Sequence, residues 1–432
     1  MRRVVVTGVG VISPIGIGSA VFWSNLIAGQ IGVRRISSFD PGGFTCQIGG
    51  EASPYKIGDF VPKHYRKAAK VMARDIELAV VAADDAFKDS GLKSKAYTET
   101  PDFDGTRFGC NIGAGLIDAE LVELTGAMAS ARDGNRLDLA KWGRDGMSQL
   151  TPLWLLKYLP NMLACHVTII HELKGPSNTI TCAEASSHLA VGEAFRTIQR
   201  GKAELAICGG AANMLQPMPM VRQTMMRRLT ETHNDSPADA VRPFDADADG
   251  MVLGAGGGLL IIEEFERAKK RGAKMYAELV GFAASQDSYK IIEPDPSGAV
   301  YAKAITRALS DAKLSADSVD LHVPNGLGVP SSDRAELNAL KSVYGPRFPA
   351  VPLAPIKAQI GGLSAGGGVE VAATVLAMHH QTIPPAVHTV RPRDGARLNV
   401  AREARDAKIG VAVTSVFSVG GQNAALVFRS IE

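Results

Sequence analysis

The sequence predicts an α/β fold, and three observations carry that expectation. Short β-branched or apolar runs alternate along the chain with longer segments whose apolar and alanine positions recur near a 3.6 period. Such alternation argues sheets buried on both faces. Forty-five glycines stand against 6% aromatic residues, which suits tight turns and close-packed small residues better than a β-sandwich or propeller.

Each element has its own reason. Arg3 to Thr7 is a β-branched run closed by Gly8 and Gly10, hence a first strand. Ile76 to Phe87 has the helical period. Thr179 to Cys182 and Leu205 to Cys208 are short buried strands flanking a small-residue helix, Ser186 to Gln199. The second half repeats the style with strands at Tyr276 to Phe282, Asp320 to Val323, Val411 to Phe417 and Ala424 to Ser430, and a helix at Val300 to Leu309. The charged segment Glu263 to Arg271 separates the halves, so the expected units are residues 1–266 and 267–432.

Composition narrows the function classes. With 432 residues, 46% hydrophobic and 21% charged, the chain is neither disordered, collagenous nor a coiled coil. Forty-seven basic against 44 acidic residues leave a net charge of +3, which calls for neither nucleic acid nor an anionic membrane surface. The five cysteines (Cys46, Cys110, Cys165, Cys182, Cys208) are scattered without a CxxC pair. That pattern predicts a reduced, cytoplasmic protein without disulfide framework, zinc site or other cofactor. The uncharged N-terminal stretch is broken by Gly8, Gly10, Pro14 and Gly16, so no signal peptide is expected, and the apolar run Met251 to Ile262 is too short to span a bilayer.

Several local patterns fail on their spacing. Gly8 and Gly10 follow a strand, but Ser13 stands where a dinucleotide-binding fingerprint needs its third glycine. Asp245, Asp247, Asp249 and Gly250 open like a calcium loop, yet the twelfth position, which must be a bidentate Glu, is Gly256. His379–His380 and His166/His171 have no acid or thiol partner at ligand spacing. The run Lys63, Arg66, Lys67, Lys70, Arg74 reads as a solvated helix face and as a candidate docking surface for an acidic partner.

Taken together, the segments RVVVTG (from Arg3), DSGL (from Asp89), GPS (from Gly175), RPFDADADGMVLGAGGG (Arg242 to Gly258), AKKRGAKMYAELVGF (Ala268 to Phe282) and VGGQN (Val419 to Asn423) come in an order that resembles the elongating β-ketoacyl-acyl-carrier-protein synthases, the ketosynthases of the thiolase superfamily. The resemblance implies five α/β/α/β/α layers from two fused similar halves, usually dimeric, with the site at the junction of the halves. It also implies a cysteine nucleophile at a strand-to-helix turn, where the helix N-terminus lowers its pKa and backbone N–H groups form an oxyanion hole.

That chemistry is missing from this chain. The tenth residue from Gly175 and the eighth before Gly192 are the same residue, Glu184, which stands in the cysteine position. Cys182 lies two residues earlier and is expected as a small buried strand residue. The family's first histidine falls on Asn325, with Asp333 and Glu336 keeping its spacing, and the two pantetheine-binding threonines become Leu327 and Val329. Its lysine is retained as Lys357, whereas Gly362 stands in place of the second histidine. Glu184 and Val419 take the oxyanion-hole positions. Glu184, Lys357 and Glu370 are the ion-pair candidates, with Glu184–Lys357 the favoured pair because a lone buried carboxylate is costly. Leu153, Trp154 and Leu155 match the family's segment near the tunnel end and interface.

Two function classes compete. One is a non-catalytic subunit similar to the chain-length factors of type II polyketide and aryl-polyene systems, pairing with an active ketosynthase and working on acyl-carrier protein. The other is enzymatic, either a malonyl-carrier-protein decarboxylase that primes synthesis or a condensing enzyme with an atypical site. The decarboxylase needs both histidines and no carboxylate beside its enolate, and the condensing enzyme needs a thiolate. The first reading is therefore preferred.

Overall fold

The computed structural model describes residues 1–431. The strands of the main sheet are β1 (Val4–Ser13), β2 (Phe108–Ala114), β3 (Ser177–Ile180), β4 (Leu205–Asn213), β5 (Ala255–Glu264), β6 (Ala277–Gln286), β7 (Leu321–Val323), β8 (Pro352–Leu353), β9 (Asn399–Val400), β10 (Val411–Phe417) and β11 (Gln422–Arg429). The principal helices are α1 (Arg74–Ser90), α2 (Ser186–Gln199), α3 (Pro217–Met225), α4 (Ala299–Asp311), α5 (Pro330–Tyr344) and α6 (Gly368–His380). Hydrogen bonding runs through these strands in the order β9-β8-β7-β10-β11-β6-β1-β5-β4-β2-β3, and Gly16–Ile17 curls back onto β1. The antiparallel pairing of β1 with both β5 and β6 joins the two halves.

Three apolar clusters fill the spaces between layers. The first packs α1 residues such as Leu78, Val81 and Phe87 against Ile112, Ile207 and Ile261 of the N-terminal strands. The second holds Val191, Phe195 and Ile198 of α2 with Val371, Val375 and Leu376 of α6, between strands of both halves. The third packs Ile305 and Leu309 of α4 and Leu337 and Leu340 of α5 on Val413 and Val427. This gives the five-layered α/β/α/β/α architecture that the resemblance implied. Its central helices lie close enough that a Cβ at Gly192 would collide with the Phe282 ring, and one at Gly258 with the α6 backbone at Gly368.

Helix α2 and strand β10 have the expected limits, and other elements differ in extent. β1 runs on to Ser13 and is buried throughout, so Gly8 and Gly10 lie inside a strand and form no phosphate-binding turn. A Cβ at Gly10 would meet the α1 backbone at Ala82. β3 ends at Ile180, leaving Cys182 half-buried beyond the strand and not within it. The chain must leave the strand early to enter the turn that follows. The basic run is not one helix face either. Lys63–Tyr65 and Arg66–Ala69 form two short helical turns, and Arg74 opens α1 after a break. Arg74 stacks 4.1 Å over the Tyr55 ring and pairs with Glu77 at 3.2 Å, which takes it out of the exposed set formed by Lys63, Arg66, Lys67 and Lys70. Between the halves, Glu263 is fully buried and accepts from Arg267 and Arg271, so this charged segment is a strand end ion-paired to the short helix Phe265–Lys270.

The aspartate-rich loop serves a structural purpose. Asp245 accepts backbone N–H bonds from Val390 (2.8 Å) and Arg391 (2.6 Å), latching the loop to a distant segment. Asp249 accepts from Thr230 and Thr232. No helix among the described residues is long and apolar enough to cross a membrane.

Candidate functional site

The site is built on the turn between edge strand β3 and helix α2. After Ile180 the chain passes Thr181 and Cys182, then Ala183 adopts a left-handed conformation at φ 46°. Glu184 follows in a single 3-10 turn that runs into α2. A non-glycine residue in that conformation costs about 1–2 kcal/mol, and local hydrogen bonds offset it. Cys182 N donates to Ser186 Oγ (2.8 Å), and the Ser186 hydroxyl is within bonding distance of the carbonyls of Ala183 (2.7 Å) and Ala114 (3.2 Å). Ser187 Oγ donates to Ala365 O at 2.5 Å, clamping the turn to the C-terminal half.

Glu184 is 7% exposed. Arg228, 5% exposed and three residues beyond α3, donates from Nη2 to Glu184 Oε1 at 2.9 Å. Its Nη1 lies 3.4 Å from Gln223 Oε1. Glu184 Oε2 has no partner among the described residues. The expected Glu184–Lys357 pair is therefore replaced by Glu184–Arg228. Lys357 is already saturated: its Nζ donates to Asn325 O (2.7 Å) and Oδ1 (3.1 Å) and pairs with Glu370. With those acceptors close at hand, the lysine has no reason to reach for Glu184.

The remaining family positions form a closed internal network. Asn325 Nδ2 donates to Phe417 O (3.1 Å), while the N–H groups of Asn325 and Gly326 donate to the Glu336 carboxylate, each at 2.8 Å. Tyr301 donates to Glu336 (3.0 Å) and lies 2.5 Å from Ser415 Oγ, which lies 2.8 Å from His322 Nε2. Burial pushes the Glu336 carboxyl up to about 7 against the backbone bonds that lower it, and pushes His322 down to about 3. Asp333 accepts from Phe244 N (2.6 Å) and Gly328 N (3.1 Å), and burial likewise raises it to about 7. Leu327 and Val329 are buried in the first apolar cluster, 2% and 6% exposed, and offer no donor. Gly362 contributes only backbone, donating to Val252 O at 2.7 Å and accepting from Gly254 N at 3.0 Å.

A cavity of about 400 Å³ opens beside Glu184. Its apolar wall is Leu116, Pro160, Met214, Met226 and Val419, and its polar wall includes Gln223, Arg228 and Arg222. Arg222 is held by Asp118 through two hydrogen bonds of 2.6 and 2.7 Å. Val419 and Glu184, named together from the sequence, thus line the same cavity. Leu153 and Leu155 are 76% and 59% exposed, whereas Trp154 is half-buried with its ring 5.2 Å from that of Tyr158. No group of three or more His, Cys, Asp or Glu side chains able to hold a metal ion occurs among the described residues.

Arg228 and Gln223 were not among the residues singled out from the sequence. Arg228 follows an exposed arginine, Arg227, and nothing in the local pattern distinguishes the buried one of the two. The available signal was indirect: a buried carboxylate at position 184 demands a cation, without saying which one.

Comparison with known proteins agrees with this geometry. The beta-ketoacyl synthase N-terminal domain model matches residues 1–268 and the C-terminal domain model residues 276–390. The chain is 34% identical to 3-oxoacyl-[acyl-carrier-protein] synthase 2 of Synechocystis sp. over 433 aligned residues, covering 100% of this chain and 99% of that protein. The synthase of the same name from Vibrio harveyi is 33% identical with the same coverage. Among solved structures, a beta-ketoacyl synthase from Burkholderia phymatum superposes with a TM-score of 0.87 at 27% identity, covering all of both chains. The ishigamide ketosynthase/chain length factor superposes at 0.85 and 28%, again over both whole chains. A type II polyketide synthase ketosynthase, solved with its acyl-carrier protein, gives 0.86 and 26% with the same full coverage. The fold, the turn that carries Glu184 and the matches over both halves make this chain a member of the beta-ketoacyl synthase family.

Proposed function

We propose that this chain is a ketosynthase-fold subunit without condensing activity of its own, which pairs with an active ketosynthase and helps set the length of the chain built on acyl-carrier protein. The observation that carries the reading is Glu184 itself. It occupies the turn where the family resemblance puts the nucleophilic cysteine, and its carboxylate is bound to Arg228. A carboxylate is a poor acyl carrier because its adduct is a hydrolysis-prone anhydride. Cys182 offers no substitute: it packs toward Val416 and Ala424, and burial raises its thiol pKa, which keeps it protonated and unreactive. Asn325 spends its amide on Phe417 and Lys357, and Gly362 has no side chain, so the positions of the two family histidines supply no donor to a thioester oxygen. The relatives named above carry the name of the condensing enzyme, but this chain lacks the residues on which that chemistry rests.

A partner role has its own support. β3 is the edge of the main sheet, with Ser177 and Asn178 exposed. An uncovered sheet edge is a template for pairing with another chain. Leu153, Leu155 and Leu156 are exposed apolar side chains beside the half-buried Trp154. The exposed cations Lys63, Arg66, Lys67 and Lys70 suit an acidic carrier protein, an attraction that salt would weaken. Co-expression with a cysteine-bearing ketosynthase of the same organism tests the reading. The expected result is a one-to-one heterodimer whose product length shifts when Trp154 is enlarged or shrunk. Isolation of this chain only as a homodimer, with product lengths indifferent to Trp154, would overturn it.

A further inference from the structure

An amine, a carboxamide and a carboxylate meet in the interior of the C-terminal half. Lys357 opens the short helix Lys357–Ile360, Asn325 follows β7, and Glu370 stands in the first turn of α6. They are 4%, 1% and 4% exposed. Lys357 Nζ lies 3.1 Å from Asn325 Oδ1, and so beside the Cγ carbon to which Oδ1 is bonded. Glu370 Oε1 is in contact with the same Nζ, and Glu370 Oε2 has no partner among the described residues. Asn325 is held in place on every side. Its N–H and that of Gly326 donate to Glu336 at 2.8 Å each, its carbonyl oxygen accepts from Nζ at 2.7 Å, and Nδ2 donates to Phe417 O. The chain neighbours Ile356, Ala358, Val369 and Val371 are buried and apolar.

We propose that the folded chain joins Lys357 to Asn325 by an isopeptide bond, with Glu370 carrying the proton. Glu370 takes a proton from the Nζ ammonium, and the neutral amine attacks Cγ of Asn325. The Nζ–Cγ bond forms and the Cγ–Nδ2 bond breaks. The proton shed by the attacking nitrogen goes to Nδ2, which departs as ammonia and takes up the proton held by Glu370. In sum, an ammonium side chain and a carboxamide give a secondary amide and an ammonium ion, with no oxidant, cofactor or further reactant. In water an amine leaves an amide untouched, because the two seldom meet in a reactive arrangement and the amine is protonated. Held together in a fold, such a pair can reach effective molarities of about 10⁵–10⁸ M, and a carboxylate in contact supplies the general base. The reaction is internal, so the burial of all three groups is no barrier to it. The inference does not depend on the role of Glu184 or on a partner chain.

Mass spectrometry of the purified full chain gives the test. Most molecules are expected to weigh less than the sequence requires by one ammonia. After tryptic digestion, residues 314–334 and 348–393 should appear as one branched peptide, uncleaved at Lys357. Lys357→Arg, which keeps the positive charge but offers no primary amine, should have the full mass and no branched peptide. Glu370→Gln should also keep the full mass in its soluble fraction. A parent in which most molecules have the sequence mass would overturn the proposal. So would an ammonia loss confined to the 314–334 peptide, which marks cyclisation of Asn325 onto Gly326, or a branched peptide formed as fully in Glu370→Gln as in the parent. The parent's mass and its digest decide the matter even if Glu370→Gln fails to fold. None of these outcomes alters the heterodimer test, so the two readings fail separately.

Discussion

The Glu184–Arg228 pair makes a quantitative prediction. Both side chains are nearly excluded from solvent, at 9% and 6% exposure, and the contact is a 2.9 Å charge-assisted bond. Arg228→Ala leaves both Glu184 oxygens without a partner and takes a second contact from Gln223 Oε1. Glu184→Ala leaves a guanidinium with only that 3.4 Å contact. Stranding one member of a buried pair costs about 3–5 kcal/mol, whereas replacing both with apolar residues of similar volume is close to neutral. The single variants Arg228→Ala and Glu184→Ala should therefore each lose about 3–5 kcal/mol. The double variant Glu184→Leu/Arg228→Met should stay within about 1–2 kcal/mol of the parent, far from the additive sum. Urea denaturation at pH 7 followed by circular dichroism, with unchanged slope, is the assay. Single losses below about 1 kcal/mol, or a double variant as unstable as the sum of the singles, would show that the pair is not the buried interaction described.

Glu184→Cys should leave condensation at background in an assay with acyl- and malonyl-carrier proteins, because a thiol at that turn still lacks donors from Asn325 and Gly362 and faces an unpaired Arg228; a measurable chain-lengthened product would refute this. Asp75, whose carboxyl burial pushes up to about 7, should make stability fall as pH rises. It ionises near 4 when unfolded and near 7 when folded, so the folded state holds the extra proton across that window and the loss is complete above it. Asp75→Asn should accordingly gain about 2–3 kcal/mol more over the parent at pH 8 than at pH 5, and equal differences at the two pH values would contradict the assignment.

Much of the fold was legible in the sequence because the layers leave plain local marks. Helix α2 is bounded where its small-residue period begins and ends, and β10 is a largely β-branched, wholly buried run between Gly410 and Ser418. β1 runs past the expected end at Thr7 because Gly8 and Gly10, which look like a turn in the sequence, lie inside the strand. Only the contact with α1 shows that they are glycines for closeness, since a side chain at Gly10 would strike Ala82. Glu184 was found by counting from two anchors, but its partner was not. Nearness in the family points to Lys357, and the structure spends that lysine on Asn325 and Glu370. Which cation reaches a buried anion depends on where every other acceptor lies, and that information is spread over residues 223 to 370. The basic run misled for a related reason: its spacing suits a helix face, yet the chain breaks at Val71 to Ala73 to bury Met72 and Ala73.

The left-handed turn at Ala183 is a strained conformation of the kind that usually marks a working site, and here it surrounds a glutamate to which the proposed function assigns no catalytic step. The hydrogen bonds explain why. Ser186 bonds to the turn and reaches β2 at Ala114, and Ser187 reaches Ala365 in the other half. Releasing the turn would cost those contacts as well as the seating of α2 between the sheets. The conformation is thus maintained by the joint between the two halves, whatever stands at position 184. That joint explains the retained shape, and the buried Arg228 explains the residue. An unpaired carboxylate would be the costly outcome at this depth, so Glu184 is tolerable only together with its arginine. The two positions must accordingly be treated as one unit in any attempt to restore a nucleophile.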